Sequence, residues 1–278
     1  MSVVRLVRRW WIDVLALVIL GIVFVIPFVF ILFIAGKDQA EAALLQFTPP
    51  TEWRLLENIA EVVGARNGLM VTAMRNSFIL TVASVALIVL FAAMVGFVLQ
   101  RRRDRIGTVV SALLLAGLII PPAIVPTIFV LQALGLFKSI LGLTLVEVAF
   151  LLPFSVLIFR AFVASIPREL DEAAIIDGAS SLRLFFSVIF PLLRPAVITV
   201  IVVATVAVYN DFVNPLYFLP GTENATVQLT LFNFQSQFNT RWNLLFADVL
   251  LITIPPLIAF ILFQRQIVSG LTAGAVKG

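Results

Sequence analysis

Apolar runs of bilayer length divide the chain at residues 14–35, 76–99, 109–131, 143–163, 195–219 and 244–263. A helix needs about 20 consecutive apolar residues to cross the hydrocarbon of a membrane, so the pattern predicts six spans. Prolines punctuate them. Pro27 predicts a kink in the first, Pro121, Pro122 and Pro126 break the third, and Pro153 and Pro255-Pro256 lie inside the fourth and sixth. Between the runs lie a loosely patterned polar stretch at 36–75 with a short helix around 52–63, a tight turn at 101–105 and a short turn at 132–142. A charged segment at 166–192, a loop at 220–243 rich in Asn, Gln, Thr and Phe, and a tail at 264–278 complete the chain. The fold class is all-α and polytopic, with residues 1–278 forming a single transmembrane domain.

Composition agrees. Hydrophobic residues make up 62% and charged residues 12%, with a mean hydropathy of +1.13; a soluble domain is about 45–50% apolar and about 25% charged. The first run is too long for the apolar core of a secretory signal, about 7–15 residues, and reads as a retained span. Orientation follows from the basic residues. Arg5, Arg8, Arg9, Arg101, Arg102, Arg103, Arg105, Arg160, Arg168, Arg183, Arg194, Arg265 and Lys277 fall on one side; Lys37, Arg54, Arg66, Arg75, Lys138 and Arg241 fall on the other. Lys and Arg accumulate on the cytoplasmic side, which places both termini and the 166–192 segment there. This topology, rather than nucleic acid, accounts for the formal charge of +4. The location expected is the bacterial cytoplasmic membrane, multi-pass.

The chemistry available is narrow. The chain has no cysteine and no histidine, which excludes disulfides, Cys/His zinc sites and His- or Cys-dependent nucleophiles. The only Gly-Lys pair, Gly36-Lys37, lacks the rest of a phosphate-binding loop, so energy must come from a partner or an ion gradient. Ionisable residues inside spans are functional candidates because burying them is costly. Asp211 leads, in the setting Tyr209-Asn210-Asp211-Phe212-Val213-Asn214-Pro215-Leu216-Tyr217. Tyr209, Asn210, Asp211, Asn214 and Tyr217 form the candidate solute pathway, since amides, hydroxyls and aromatic faces bind polyols. Asn210 and Asn214, four residues apart, also fit a bland role as hydrogen-bonding glue between helices. Glu147 and Asp248 are weaker candidates, near span ends where the interface alone accounts for them. With no histidine and only outer-half carboxylates, a proton or sodium relay is disfavoured. Asn224-Ala225-Thr226 matches a glycosylation sequon, a chance match in a bacterial-looking chain.

The charged segment carries the most specific signal. Glu172-Ala173-Ala174, then Gly178 after three residues and Val188-Ile189-Phe190-Pro191 after nine more, resemble the EAA signature of ABC importer permeases. Ile166-Pro167-Arg168-Glu169-Leu170, Asn210-Asp211-Phe212 and the tail Val268–Gly278 resemble the maltose-type, carbohydrate-uptake branch; the 36–75 stretch matches least. The resemblance implies a type I importer permease with both termini cytoplasmic, pairing with a second permease subunit, an ABC ATPase dimer and an extracytoplasmic solute-binding protein. It implies that Glu172, Ala173, Ala174, Asp177 and Gly178 couple to the ATPase, and that Gly270, Leu271, Thr272, Ala273 and Gly274 reach into the ATPase dimer. The 220–243 loop would touch the binding protein. The chain itself would be no enzyme and hold no cofactor, ATP and magnesium residing on the partner. The expected cargo is a sugar or oligosaccharide; an importer of polyamine or glycerol phosphate, an independent carrier or channel, and a membrane enzyme are the alternatives.

Overall fold

A computed structural model describes residues 3–102, 104–235 and 240–275, with side chains at 11, 13–102, 104–235, 240–261 and 264. Among the described residues the secondary structure is helical, without strands. The long helices are α1 (Val3–Gly36), α3 (Leu55–Arg101), α6 (Ile140–Ala164) and α12 (Trp242–Ala275). The shorter ones are α2 (Gln39–Ala43), α4 (Arg105–Ile119), α5 (Ile124–Ala133), α7 (Glu169–Ile176), α8 (Ser181–Leu192), α9 (Arg194–Tyr209), α10 (Val213–Phe218) and α11 (Val227–Thr230). Four helices are long and apolar enough to cross a membrane, and two bent pairs raise the count to six.

The bent pairs follow from proline. α4 and α5 meet at 118° across Pro121-Pro122, where the missing N–H groups and fixed φ stop the helix. Pro126 does not break the span as expected. It is the third residue of α5, within the first turn, where backbone N–H groups have no intrahelical partner to lose. α8 contains a π-helical stretch, Leu184–Ile189, and meets α9 at 77°. Pro27, by contrast, sits inside an α1 that runs without interruption from Val3 to Gly36. From Val14 to Phe28 α1 is apolar on every face and exposed throughout, as befits a helix solvated by lipid.

The chain divides into two compact units: residues 1–70 with 230–255, and residues 71–229 with 256–278. The first unit is tied by polar contacts and an aromatic cluster. Lys37 is fully buried, its ammonium donating to the Gln46 carbonyl and to Thr48 Oγ1, both at 3.0 Å. Asn58 Nδ2 donates to the carbonyls of Ala35 and Lys37 at 2.8 and 2.9 Å, and its Oδ1 accepts from Asn243 at 2.9 Å. In the same unit Phe30, Phe33, Phe47, Trp53 and Phe246 pack ring against ring. The loosely patterned 36–75 stretch is therefore an ordered structure, interrupted in α3 by non-helical residues Ala65 to Gly68.

The second unit is built on α3, α6, α8 and α9, with Ile88, Ala92, Val156, Phe159, Ile189, Leu193 and Ala196 fully buried. At Gly96 the helices approach so closely that a Cβ would stand 2.8 Å from that of Phe159, the use of small residues seen in membrane helix packing. The 101–105 turn is closed by Asp104, which caps α4 by accepting the Gly107 N–H at 2.8 Å. That bond, with Arg102 alongside, holds the Asp104 carboxyl below the usual carboxylate range.

Candidate functional site

α7 places the EAA residues on an exposed eight-residue helix. Acidic side chains at Glu169, Asp171 and Glu172 fill its first turn, where they complement the positive end of the helix dipole. Its end is a Schellman motif: the Gly178 N–H donates to the Ile175 carbonyl and the Ala179 N–H to the Ala174 carbonyl, both at 2.9 Å. Gly178 itself sits at φ +79° with nothing within 4 Å of a notional Cβ. Backbone conformation, not crowding, requires glycine here.

Glu172, Ala173, Asp177 and Gly178 are all exposed, and Ala174 is half-buried against the core of the second unit. Ile175 and Ile176 are 60% and 84% exposed. The two isoleucines are adjacent on a charged helix that the arginine distribution assigns to the cytoplasm, so their apolar surface faces water there.

Sequence reasoning missed what holds this helix. Arg101, at the end of α3, donates from Nε to Asp171 Oδ2 at 2.6 Å and from Nη2 to Asp171 Oδ1 at 3.2 Å, with a further bond to the Ile166 carbonyl at 3.1 Å. Both side chains are largely buried, 15% and 13% exposed, and the guanidinium lies over the Phe97 ring. Seventy residues separate the partners. No local pattern in the sequence pairs them, and topology alone accounts for the arginine run at 101–105.

The predicted solute pathway lies at a break in the fifth apolar run. α9 stops at Tyr209, and Asn210 and Asp211 lead into the short α10. Asp211 Oδ1 accepts the N–H groups of Val213 at 2.9 Å and Asn214 at 3.3 Å, which stabilises the restart of the helix. Asn214 Nδ2 donates to Glu147 Oε1 on α6 at 3.1 Å. Glu147 is only 3% exposed and is not the interfacial residue the sequence implied. Asn210 bonds back to its own helix at the Val206 carbonyl, the Tyr209 carbonyl accepts from Gln228, and Tyr217 is exposed. The structure thus gathers Asp211, Asn214 and Glu147 and leaves Asn210 and Tyr217 apart from them. Asp248 is likewise buried, at 0% exposure, one oxygen accepting from Thr230 at 3.1 Å and the other without a partner among the described residues. Gly270, Leu271, Thr272, Ala273 and Gly274 continue α12 as helix, but their side chains, and residues 276–278 altogether, lie outside the described set.

Residues 2–272 match the family of binding-protein-dependent transport system inner membrane components. The chain is 32% identical over 206 residues to the melibiose/raffinose/stachyose import permease protein MelC of Bacillus subtilis (strain 168), covering 73% of this chain and 75% of that one. It is 30% identical over 265 residues to the diacetylchitobiose uptake system permease protein NgcG of Streptomyces coelicolor, covering 94% and 87%. In fold it resembles a chain of a bacterial ABC transporter involved in the import of the acidic polysaccharide alginate. The TM-score is 0.80 at 20% identity, over 95% of this chain and 98% of that chain.

Proposed function

The chain belongs to the inner membrane components of binding-protein-dependent transport systems, and we propose that within that family its cargo is an oligosaccharide. It is a multi-pass permease subunit of an ABC importer, a transport component rather than an enzyme. The observation that carries the coupling half of this reading is α7, with Ile175 and Ile176 bared beside Glu172 at the end of a Gly178 turn. An ATPase dimer, holding ATP and magnesium, closes on this helix; Glu172 meets a basic or hydroxyl partner there, Ala173 and Ala174 permit close approach, and the isoleucines are covered. Gly270 to Gly274 extend toward the same dimer. A second permease subunit completes the pathway, and an extracytoplasmic binding protein delivers the sugar to the 220–243 loop.

The cargo half rests on the oligosaccharide-importing relatives and on the side-chain chemistry at Asp211 and Asn214, whose amide and carboxyl groups suit hydroxyl-rich solutes. The test is reconstitution of the chain with its second permease and ATPase in vesicles, with binding protein outside and labelled oligosaccharide offered against spermidine and glycerol phosphate. ATP-dependent accumulation of the oligosaccharide alone is the expected result. Uptake by the chain by itself without ATP would refute the importer reading, and preference for either other solute would refute the cargo. In the same assay Glu172→Lys is expected to abolish transport and weaken ATPase co-purification while leaving the chain in the membrane.

A further inference from the structure

α1 sets the depth of whatever packs on its outer end. Its apolar run, 14–35, is about 33 Å long at about 1.5 Å per residue, against a hydrocarbon core of about 30 Å. Phe33 and Phe30 stand about 5 and 9 Å below Gly36 on the same rise, within the outermost part of that core. The chain does not leave for water beyond this point. After α2 it turns at Leu45, whose φ of +51° is the left-handed conformation in which helices commonly end on glycine. Phe47 then comes back to α1, its ring stacked 6.1 Å from that of Phe30 and 5.6 Å from that of Phe33. Trp53 meets Phe33 edge-on at 6.2 Å. Its ring lies so near the last turn that a Cβ on Gly36 would stand 2.8 Å from it. A stretch that its polar composition assigns to an external loop therefore descends to the level of the end of a membrane span.

What this stretch shows outward is apolar. Leu44, Phe47, Trp53 and Leu56 are all more than half exposed. The charges between Lys37 and Arg54 are paired or capped. Lys37 is buried 3.8 Å from Glu41, Arg54 meets Glu52 at 2.6 Å, and Asp38 caps α2 by accepting the Glu41 N–H at 2.8 Å. On a face in water such a patch would mark a protein partner. Depth decides for lipid here, because Phe47 and Trp53 sit level with Phe30 and Phe33, on a helix whose apolar exposed surface runs up from Val14. Aromatic rings, Trp above all, gather at this boundary, where one end is apolar and the other wet.

We propose that residues 44–56 are an interfacial anchor, seating Leu44, Phe47, Trp53 and Leu56 among the upper acyl chains and headgroups of the outer leaflet. The partner is the bilayer itself, and the site is independent of the cargo. The anchor fixes the depth of α1. Through Asn58, bonded to the Ala35 and Lys37 carbonyls, it holds the start of α3 at the same level.

The absence of cysteine makes the test direct. Nitroxide spin labels are attached at Leu44→Cys, Phe47→Cys and Leu56→Cys in the full chain in nanodiscs. Their collisions with dissolved oxygen and with a water-soluble nickel chelate are measured there, and again after the second permease is added. Val23→Cys, exposed in the middle of α1, gives the lipid limit, and Thr222→Cys, exposed in the 220–243 loop, gives the water limit. The three anchor positions are expected to show an oxygen-to-nickel ratio between these limits, highest at Phe47→Cys, with or without the second permease. A ratio equal to that at Thr222→Cys would place the segment in water. Weak collision with both reagents would place a protein against it. Either result overturns the proposal. Phe47 packs on two rings and its replacement risks misfolding, so Leu44→Cys and Leu56→Cys, at the more exposed positions, decide the matter if that variant fails to fold.

Discussion

Gly178 holds a backbone conformation that costs an L side chain about 1–2 kcal/mol, and nothing surrounds it to compensate. Asn visits this region more readily than β-branched residues. Gly178→Asn is therefore expected to retain more ATP-driven transport than Gly178→Val, with both variants inserted at normal levels; equal activity would show that the turn does not matter to coupling. Asp211 acts on the backbone of the restarting helix. Removing such a cap costs about 0.5–2 kcal/mol, so Asp211→Ala should lower stability against detergent denaturation by about that amount, while Asp211→Asn, which still offers an acceptor oxygen, should lower it less. If Asp211 also meets the solute, both variants shift the concentration dependence of uptake without impairing assembly. Unchanged kinetics would confine the residue to its structural role.

At the scale of elements, α7 is too short to be stable alone, since helices under about 12–15 residues are marginal in water. What fixes it is the Arg101–Asp171 pair, together with the half-buried Ala174. The pair links α7 to the end of α3 through one ion pair made of two hydrogen bonds, at 2.6 and 3.2 Å, the route by which, on the proposed coupling role, a push on α7 would reach a membrane helix. A double-mutant cycle with Arg101→Ala and Asp171→Ala is expected to give a coupling energy of about 1–3 kcal/mol, measured by denaturation in detergent. Either single variant should also uncouple ATP hydrolysis from uptake more than the double variant does, because each leaves one buried charge unmatched. A coupling energy near zero would mean the contact transmits nothing. α3 and α6 meet at Gly96, where a side chain would strike Phe159 and the backbone of Arg160, so the crossing that brings Arg101 toward α7 depends on that glycine.

For the whole molecule the decisive arrangement is sidedness. The two bent pairs and four long helices are consistent with six crossings, and the arginine distribution sets their direction. The absence of cysteine makes this directly measurable. Ser165→Cys, just before α7, is expected to react with a membrane-impermeant maleimide only from the cytoplasmic face, and Thr222→Cys only from the opposite face; both positions are exposed. Labelling of both from one side would overturn the six-span topology and with it the docking of an ATPase on α7.

The sequence by itself determined the all-helical membrane class and the family, and it set the expectations of six crossings and of a coupling segment at 166–192. Those properties rest on local regularities: runs of about 20 apolar residues, a bias in basic residues, and a motif contained within twenty positions. Tertiary structure decided which polar residues matter and how. Asn214 and Glu147, Arg101 and Asp171, and Lys37 with Asn58 each depend on chain segments brought together from a distance. In hydrocarbon or in a packed interior a polar group must find a partner wherever the fold supplies one, and no local pattern records where that partner will be. Pro126 shows the same division at smaller scale: a proline reads as a breaker in sequence, but only the position of the turn reveals whether it ends a helix or begins one.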